Sequence, residues 1–530
     1  MNLEKDKRIL AEDVYMDKDS FNTHKNNNIL VVGSPGTQKT LSYVLPNILN
    51  TYSESMIVVD VKGDLIKKTA GIMKNRGFDV HCLDFKNFKL GEKYNPISLL
   101  KTDIDISKFA SMIYESSQAI VDPFWDDMSR LYLTICIHLI KERFPENKQT
   151  MNTVVELSRF DLKKGKSVLD LYMEELEYGQ KALYPDGKPI RNALSFPDIF
   201  QLKRMDKFKN HPKLKRDYYS KHEVEFLDLF DEHGKGNYFV DNRGWVRKLC
   251  WYDEFGNIQV ADNLSKALQL YKQFMAVAPS EKTLASILGT VASKLNLYSI
   301  NTISDFMASN EIDFSSIGKR KTILYLIVDD LSSTYNPLIN CLLYQLIQSL
   351  VQEAEKNSDN RLQVPVHFYL DDFATYYIPD MDRLIASLRS RGIGMSLILQ
   401  SETQLNNAYG KNAAKTIINS CDTYLYFGGI DIDTAQALVY RTNNELKSIL
   451  ELPYGVMYIF QRNEKAKLTS IFPINGLRMD RVIKEHQMLF EELEKSMINK
   501  TGFQSFVEKI KIQNIEDSNL NINFVEHLLN

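Results

Sequence analysis

The chain opens on a polar, irregular stretch, residues 1–27, and then becomes strongly periodic. Short apolar runs recur at Ile29–Val32, Met56–Asp60 and Phe78–Leu83, with helical spacing between them. After residue 318 the same alternation returns. Thr322–Val328, Val364–Asp372, Ile393–Gln400, Thr423–Phe427 and Val456–Phe460 read as strands, and Leu338–Ala354 reads as a long helix. Runs this short and this apolar predict strands buried on both faces. Their alternation with helices predicts a parallel α/β sheet, whose ligands bind beyond the carboxyl ends of the strands.

Between about residues 105 and 300 the strand runs thin out. Met128–Arg143 and Leu264–Val277 carry long helical patterns, which predicts a mostly helical domain set into the sheet domain. Within it, 160–262 is less regular and holds a basic run with interleaved aromatics over 203–221. Acidic residues follow over 223–232. Such a basic run can bind single-stranded nucleic acid, but a solvated face pairing with its acidic neighbour is the favoured reading. The last residues, 479–530, read as a polar helical tail.

Composition narrows this picture a little. A chain of 530 residues and 61.2 kDa calls for more than one domain. The net charge of -3 implies no whole-molecule attraction to a polyanion, so any such site must be local. The five cysteines, Cys82, Cys136, Cys250, Cys341 and Cys421, show no paired spacing. That argues against a zinc site or a disulfide framework and fits a reducing, cytoplasmic setting. No secretory leader and no membrane-spanning apolar run is expected.

The chemistry is concentrated after the strand ending at Val32. Gly33, Ser34, Pro35, Gly36, Thr37, Gln38, Lys39 and Thr40 form a glycine-containing loop that leads into a helix. Backbone N–H groups of such a loop cradle phosphate oxygens. Lys39 would reach the β- and γ-phosphates and the Thr40 hydroxyl would ligate Mg²⁺. Gln38 stands where the pattern has glycine. Asp371 and Asp372 end a distant strand; the first would hold the metal shell and the second would orient the attacking water. Arg389 and Arg391 precede the next strand and Gln400 ends it. A glutamine there can bond the γ-phosphate, and an arginine can reach a neighbour's nucleotide. The geometry expected is that the strands ending in the loop and in Asp371 become neighbours. Asp60 fits a site role or a helix cap equally well, and His367 reads as structural.

Taken in order, these residues resemble a known family. Val32–Thr40, Asp60-Val61-Lys62-Gly63-Asp64, Tyr94-Asn95-Pro96, Asp122-Pro123-Phe124-Trp125 and Leu370-Asp371-Asp372-Phe373-Ala374 look like the TraG-like coupling proteins of conjugative type IV secretion. So do Ile385–Arg391, Ile398–Ser401 with Gln404-Leu405, and Asn419–Thr423. The resemblance implies an α/β, RecA-like P-loop domain with an inserted all-α domain. The expected division is 1–105 and 311–478 for the nucleotide-binding domain, 106–310 for the insert, and 479–530 for the tail. It implies ATP and Mg²⁺ as ligands, with Lys39, Thr40, Asp371, Gln400 and Arg389 on the family's motif positions.

It also implies single-stranded DNA, relaxase or relaxosome proteins and a secretion channel as partners, and a homo-hexamer when assembled. A monomer in isolation stays open. Asp372 stands where the family usually has glutamate. The family's N-terminal membrane helices are not seen: either the sequence is a shortened form, or it resembles the unanchored members, for which a separate membrane protein would bring the chain to the inner face of the cell membrane. Two rival readings remain: a nucleotide-binding recruitment platform with little hydrolysis, and a RecA-like DNA translocase outside conjugation.

Overall fold

The computed structural model describes residues 4–88, 90–115, 123–161, 166–170, 173, 180–181, 238–240, 245–248, 251–252, 258–259, 265–277, 281–329 and 332–473. The basic run at 203–221 and the tail at 479–530 lie outside the described residues. The chain divides into two compact units, one of residues 1–99 and 305–530 and one of residues 100–304.

The first unit is built on a nine-stranded sheet. Its chain begins with a hairpin, β1 (Arg8–Ala11) and β2 (Val14–Met16). The sheet strands follow: β3 (Ile29–Val32), β4 (Ser55–Val61), β5 (Asp79–Asp84), β6 (Thr322–Val328), β7 (Val366–Leu370), β8 (Ile393–Leu399), β9 (Thr423–Tyr426), β10 (Val456–Gln461) and β11 (Lys467–Ser470). Their order across the sheet is β11-β10-β9-β3-β8-β7-β4-β6-β5. All pairs from β9 to β5 are parallel; β10 and β11 add an antiparallel edge. Strands β6, β7 and β8 are buried at every residue, which is why their sequences read as unbroken apolar runs.

Two expectations need correction. The strand of the phosphate loop and the strand of Asp371 are not neighbours, because β8 lies between β3 and β7. The strand ending before Gln400 therefore separates them, and the glutamine comes between the loop and the two carboxylates. Residues 1–27 are not irregular throughout, since β1 and β2 pair within them. Arg8 is wholly buried there, bonded to Glu54 at 3.0 Å and to the Tyr369 hydroxyl. The Asn47 side chain accepts from Ile9 N and donates to Ile9 O, both at 2.8 Å, so the hairpin is tied to the segment after the loop. That segment starts with one wide π-helical turn, Thr40–Val44, before the α-helical Leu45–Leu49. Pro46 has no N–H to give to the preceding turn, and a widened turn accommodates that loss.

The second unit contains the helices Asp103–Glu115, Pro123–Arg143, Met151–Ser158, Lys266–Val277 and Glu281–Leu295, with short antiparallel strand pairs such as Tyr238–Val240 and Trp245–Lys248 among its described residues. Tyr132 and Phe274 meet edge to face at 5.6 Å and join two of these helices. The Glu142 carboxylate accepts from Lys266 N at 2.9 Å, Ala267 N at 3.1 Å and Ser265 Oγ at 2.7 Å. A carboxylate from one helix thus caps the start of another, where free N–H groups and the helix dipole favour negative charge.

Candidate functional site

The loop between β3 and the Thr40–Val44 turn is anchored at its start by two neighbouring strands. Gly33 N donates to Leu399 O at 3.2 Å, and Ser34 N donates to Gly428 O at 2.9 Å. A Cβ on Gly33 would stand 2.8 Å from both Phe427 Cβ and Thr37 Oγ1, so only glycine fits so close an approach. Thr37 Oγ1 donates to Ser34 O at 2.8 Å and closes the loop on itself. Pro35 and Gly36 stay exposed at its tip.

Gln38 takes φ 65°, the left-handed conformation for which the usual pattern supplies glycine. The backbone keeps its shape despite the substitution, at a cost of about 1–2 kcal/mol for carrying a Cβ there. The Gln38 amide donates to the Tyr454 hydroxyl.

Lys39 Nζ turns into the loop and donates to Gly33 O at 2.5 Å and Ser34 O at 3.1 Å. Burial pulls its ammonium below the ordinary lysine range, while Asp371 and Asp372 pull it back up. Thr40 Oγ1 donates to Asp371 Oδ2 at 2.7 Å. Burial pushes the Asp371 carboxyl above its usual range, opposed by the Thr40 hydrogen bond and reinforced by Asp372. Asp372 sits in the left-handed region at φ 50° and its N–H bonds Asp371 Oδ1 at 3.1 Å. Gln400 Nε2 donates to Asp372 Oδ1 at 3.2 Å. Gln400 N in turn bonds Gln404 Oε1 at 3.2 Å.

The fold therefore gathers Lys39, Thr40, Asp371, Asp372 and Gln400 at the carboxyl ends of β3, β7 and β8. Thr40 and Asp371 together offer a hydroxyl and carboxylate oxygens, a hard-oxygen set that suits Mg²⁺ completed by phosphate oxygens and water. No group of three or more His, Cys, Asp or Glu side chains converges among the described residues, so a metal here has to share its shell with a ligand. A cleft of about 580 Å³ adjoins the loop, lined by Ser34, Pro35, Gln400, Gln404 and the 430–433 segment.

Arg389 is not part of this cluster. It lies at the opposite, amino end of β8, in the turn Arg389–Arg391, and its Nη2 donates to Ser20 O at 2.8 Å. It lines a polar cavity of about 410 Å³ with Lys18, Glu54 and Arg361. Asp60 caps a helix: its Oδ2 accepts from Ile66 N at 2.8 Å at the start of Asp64–Asn75. His367 is buried, bonds Ser396 Oγ at 2.8 Å, and is held well below the usual histidine range by burial, as a structural residue would be.

Two contributors to the loop were absent from the sequence reading. The Phe427-Gly428-Gly429 segment forms one wall, and a Cβ on Gly429 would stand 3.1 Å from Ser34 Oγ, a close approach. A glycine pair directly after a strand was the available signal. Tyr454 carried none, because a single tyrosine in a Pro-Tyr-Gly turn reads as surface.

A family model described as type IV secretory system conjugative DNA transfer matches residues 2–182 and 252–442. No curated protein matches. Among solved structures, the bacterial conjugative coupling protein TrwB lacking its first 70 residues, with sulphate, aligns at TM-score 0.52 and 14% identity over 89% of this chain and 90% of that one. TrwB with the non-hydrolysable ATP analogue ADPNP aligns at TM-score 0.51 and 14% identity, again over 89% and 90%. TrwB with ADP and Mg²⁺ aligns at TM-score 0.50 and 14% identity over 89% of each chain. At that identity the likeness speaks for the fold, which is the expected α/β P-loop architecture. No helix among the described residues is long and apolar enough to cross a membrane. The family match covers most of the chain, and the protein belongs to the conjugative DNA transfer family of type IV secretory systems.

Proposed function

We propose that this protein is the ATP-hydrolysing coupling motor of a conjugative type IV secretion system. It receives single-stranded DNA with its relaxase and drives the strand toward the secretion channel. The observation that carries this reading is the Thr40–Asp371 hydrogen bond of 2.7 Å, with Lys39, Asp372 and Gln400 beside it. A P-loop hydroxyl, two strand-end carboxylates and a glutamine in one cluster are the parts that nucleoside triphosphate hydrolysis needs. TrwB structures with ADPNP and with ADP and Mg²⁺ support the same ligands here.

The roles follow from position. Loop N–H groups and Lys39 grip the phosphates. Thr40 and Asp371 would hold Mg²⁺, which when bound offsets charge on the β- and γ-phosphates. Asp372 accepts a proton from, or aligns, the attacking water. Gln400, already bonded to Asp372, orients that water against the γ-phosphate. Arg389 points away from its own cradle and serves a neighbouring subunit in a homo-hexamer. A separate membrane protein of the channel brings the ring to the membrane.

The test is ATP turnover of the assembled chain with and without single-stranded DNA. DNA-stimulated turnover that disappears in Lys39→Ala supports the motor. Turnover that ignores DNA overturns it, and nucleotide binding without turnover selects the recruitment platform instead.

A further inference from the structure

Gln38 occupies a left-handed position with a side chain in place of glycine, so something must stabilise that turn. Its amide donates to the Tyr454 hydroxyl, across 416 residues of sequence. Tyr454 stands in the turn before β10, where Val456 N donates to Pro453 O at 3.1 Å and Gly455 has φ 85°. Two residues earlier, Leu452 comes within 3.7 Å of where a Cβ on Gly428 would stand. Gly428 O is the acceptor for Ser34 N. The 452–455 segment thus runs beside Gly428, near the start of the phosphate loop, and is bonded to the loop's end through Tyr454.

We infer that Gln38 and Tyr454 form a positioning pair that sets nucleotide affinity. The hydroxyl fixes the carboxamide, and the carboxamide fixes the left-handed turn that aims the following N–H groups at phosphate oxygens. In a loop with glycine at this position the turn forms without the steric cost of a Cβ and needs no brace. In this chain the brace replaces the glycine. Tyr454 is 73% exposed, so losing its hydroxyl alters the bond to Gln38 without opening the core. The inference rests on the nucleotide reading above and adds a residue that no motif contains.

The test is a double-mutant cycle on the full chain, read as binding of a fluorescent ATP analogue in the presence of Mg²⁺. Tyr454→Phe is expected to weaken binding about two- to tenfold, the span of one net hydrogen bond. In the Gln38→Gly background the same change is expected to do nothing measurable, while the thermal midpoint stays put in both. Equal loss in the two backgrounds overturns the pairing, as does no loss in either while Lys39→Ala removes binding. A Lys39→Ala chain that binds like the wild type overturns the nucleotide reading itself, and the pair's role with it.

Discussion

Thr40 and Asp371 follow strands that have another strand between them, yet their side chains meet at 2.7 Å. The contact places a hydroxyl against a carboxylate whose burial raises its pKa. Removing the charge while keeping the shape isolates what the carboxylate does. Asp371→Asn is expected to lower Mg²⁺-dependent ATP affinity about 10- to 100-fold, as loss of a partner in a metal shell does. Calorimetric titration with and without Mg²⁺ reads this directly. An affinity that Mg²⁺ raises equally in both proteins removes Asp371 from the metal site.

Gln400 reaches Asp372 at 3.2 Å without touching the loop lysine in the hydrogen-bond network. Under the proposed roles, that separates water alignment from phosphate binding. Asp372→Asn and Gln400→Ala are expected to bind ATP about as well as the wild type and to turn it over about 10²–10⁴-fold more slowly. Single-turnover assays at saturating nucleotide decide the point. A loss confined to KM would assign both residues to binding.

Asp60 makes a pH prediction. Burial pushes its carboxyl up to about 6, against hydrogen bonds from Ile66, Leu65 and Asp64 backbone N–H groups that pull it down. The folded chain therefore holds this proton more tightly than the unfolded chain, whose carboxyl keeps its ordinary value of 3.8. Its contribution to stability is fully present below about pH 4, fades as pH rises through about 6, and is gone above that. A shift of this size is on the order of 3 kcal/mol. Asp60→Asn is expected to abolish the decline between about pH 4 and 6, read as urea midpoints across that range. A decline of the same size in both proteins assigns it to other groups.

Much of this was legible in the sequence, for a physical reason. Strands buried on both faces must be apolar throughout, so Thr322–Val328 and Ile393–Leu399 declared themselves by content alone. The phosphate loop and the paired aspartates were legible because their chemistry needs fixed residue types at fixed spacing. What stayed hidden depends on distant partners. Arg8 reads as a surface charge until Glu54 and Tyr369 are seen to enclose it. β11 has the sequence Lys-Leu-Thr-Ser and sits exposed at the sheet edge, where no apolar face is required. The order of strands, and hence the place of Gln400 between loop and carboxylates, is a property of the whole sheet. The brace on Gln38 is hidden for the same reason.

Arg389 offers the sharpest separation between structural and chemical roles. It precedes β8 and Gln400 follows it, so the seven residues of that strand stand between them. At about 3.3 Å per residue, that is roughly 23 Å, well beyond the reach of an arginine side chain. Arg389 therefore cannot reach the cradle of its own chain, and under the proposed function a direct effect on hydrolysis would be exerted on a neighbour. Arg389→Ala alone is expected to lower turnover of the assembled protein about 10³-fold or more while leaving ATP binding unchanged. Lys39→Ala alone is expected to be inactive through lost binding. Mixed before assembly, the two are expected to regain turnover, because an intact loop on one subunit then faces an intact arginine on the next. If the mixture does no better than the sum of its parts, the arginine's bond to Ser20 O is its whole contribution, and it holds the 17–27 segment rather than a neighbour's phosphate.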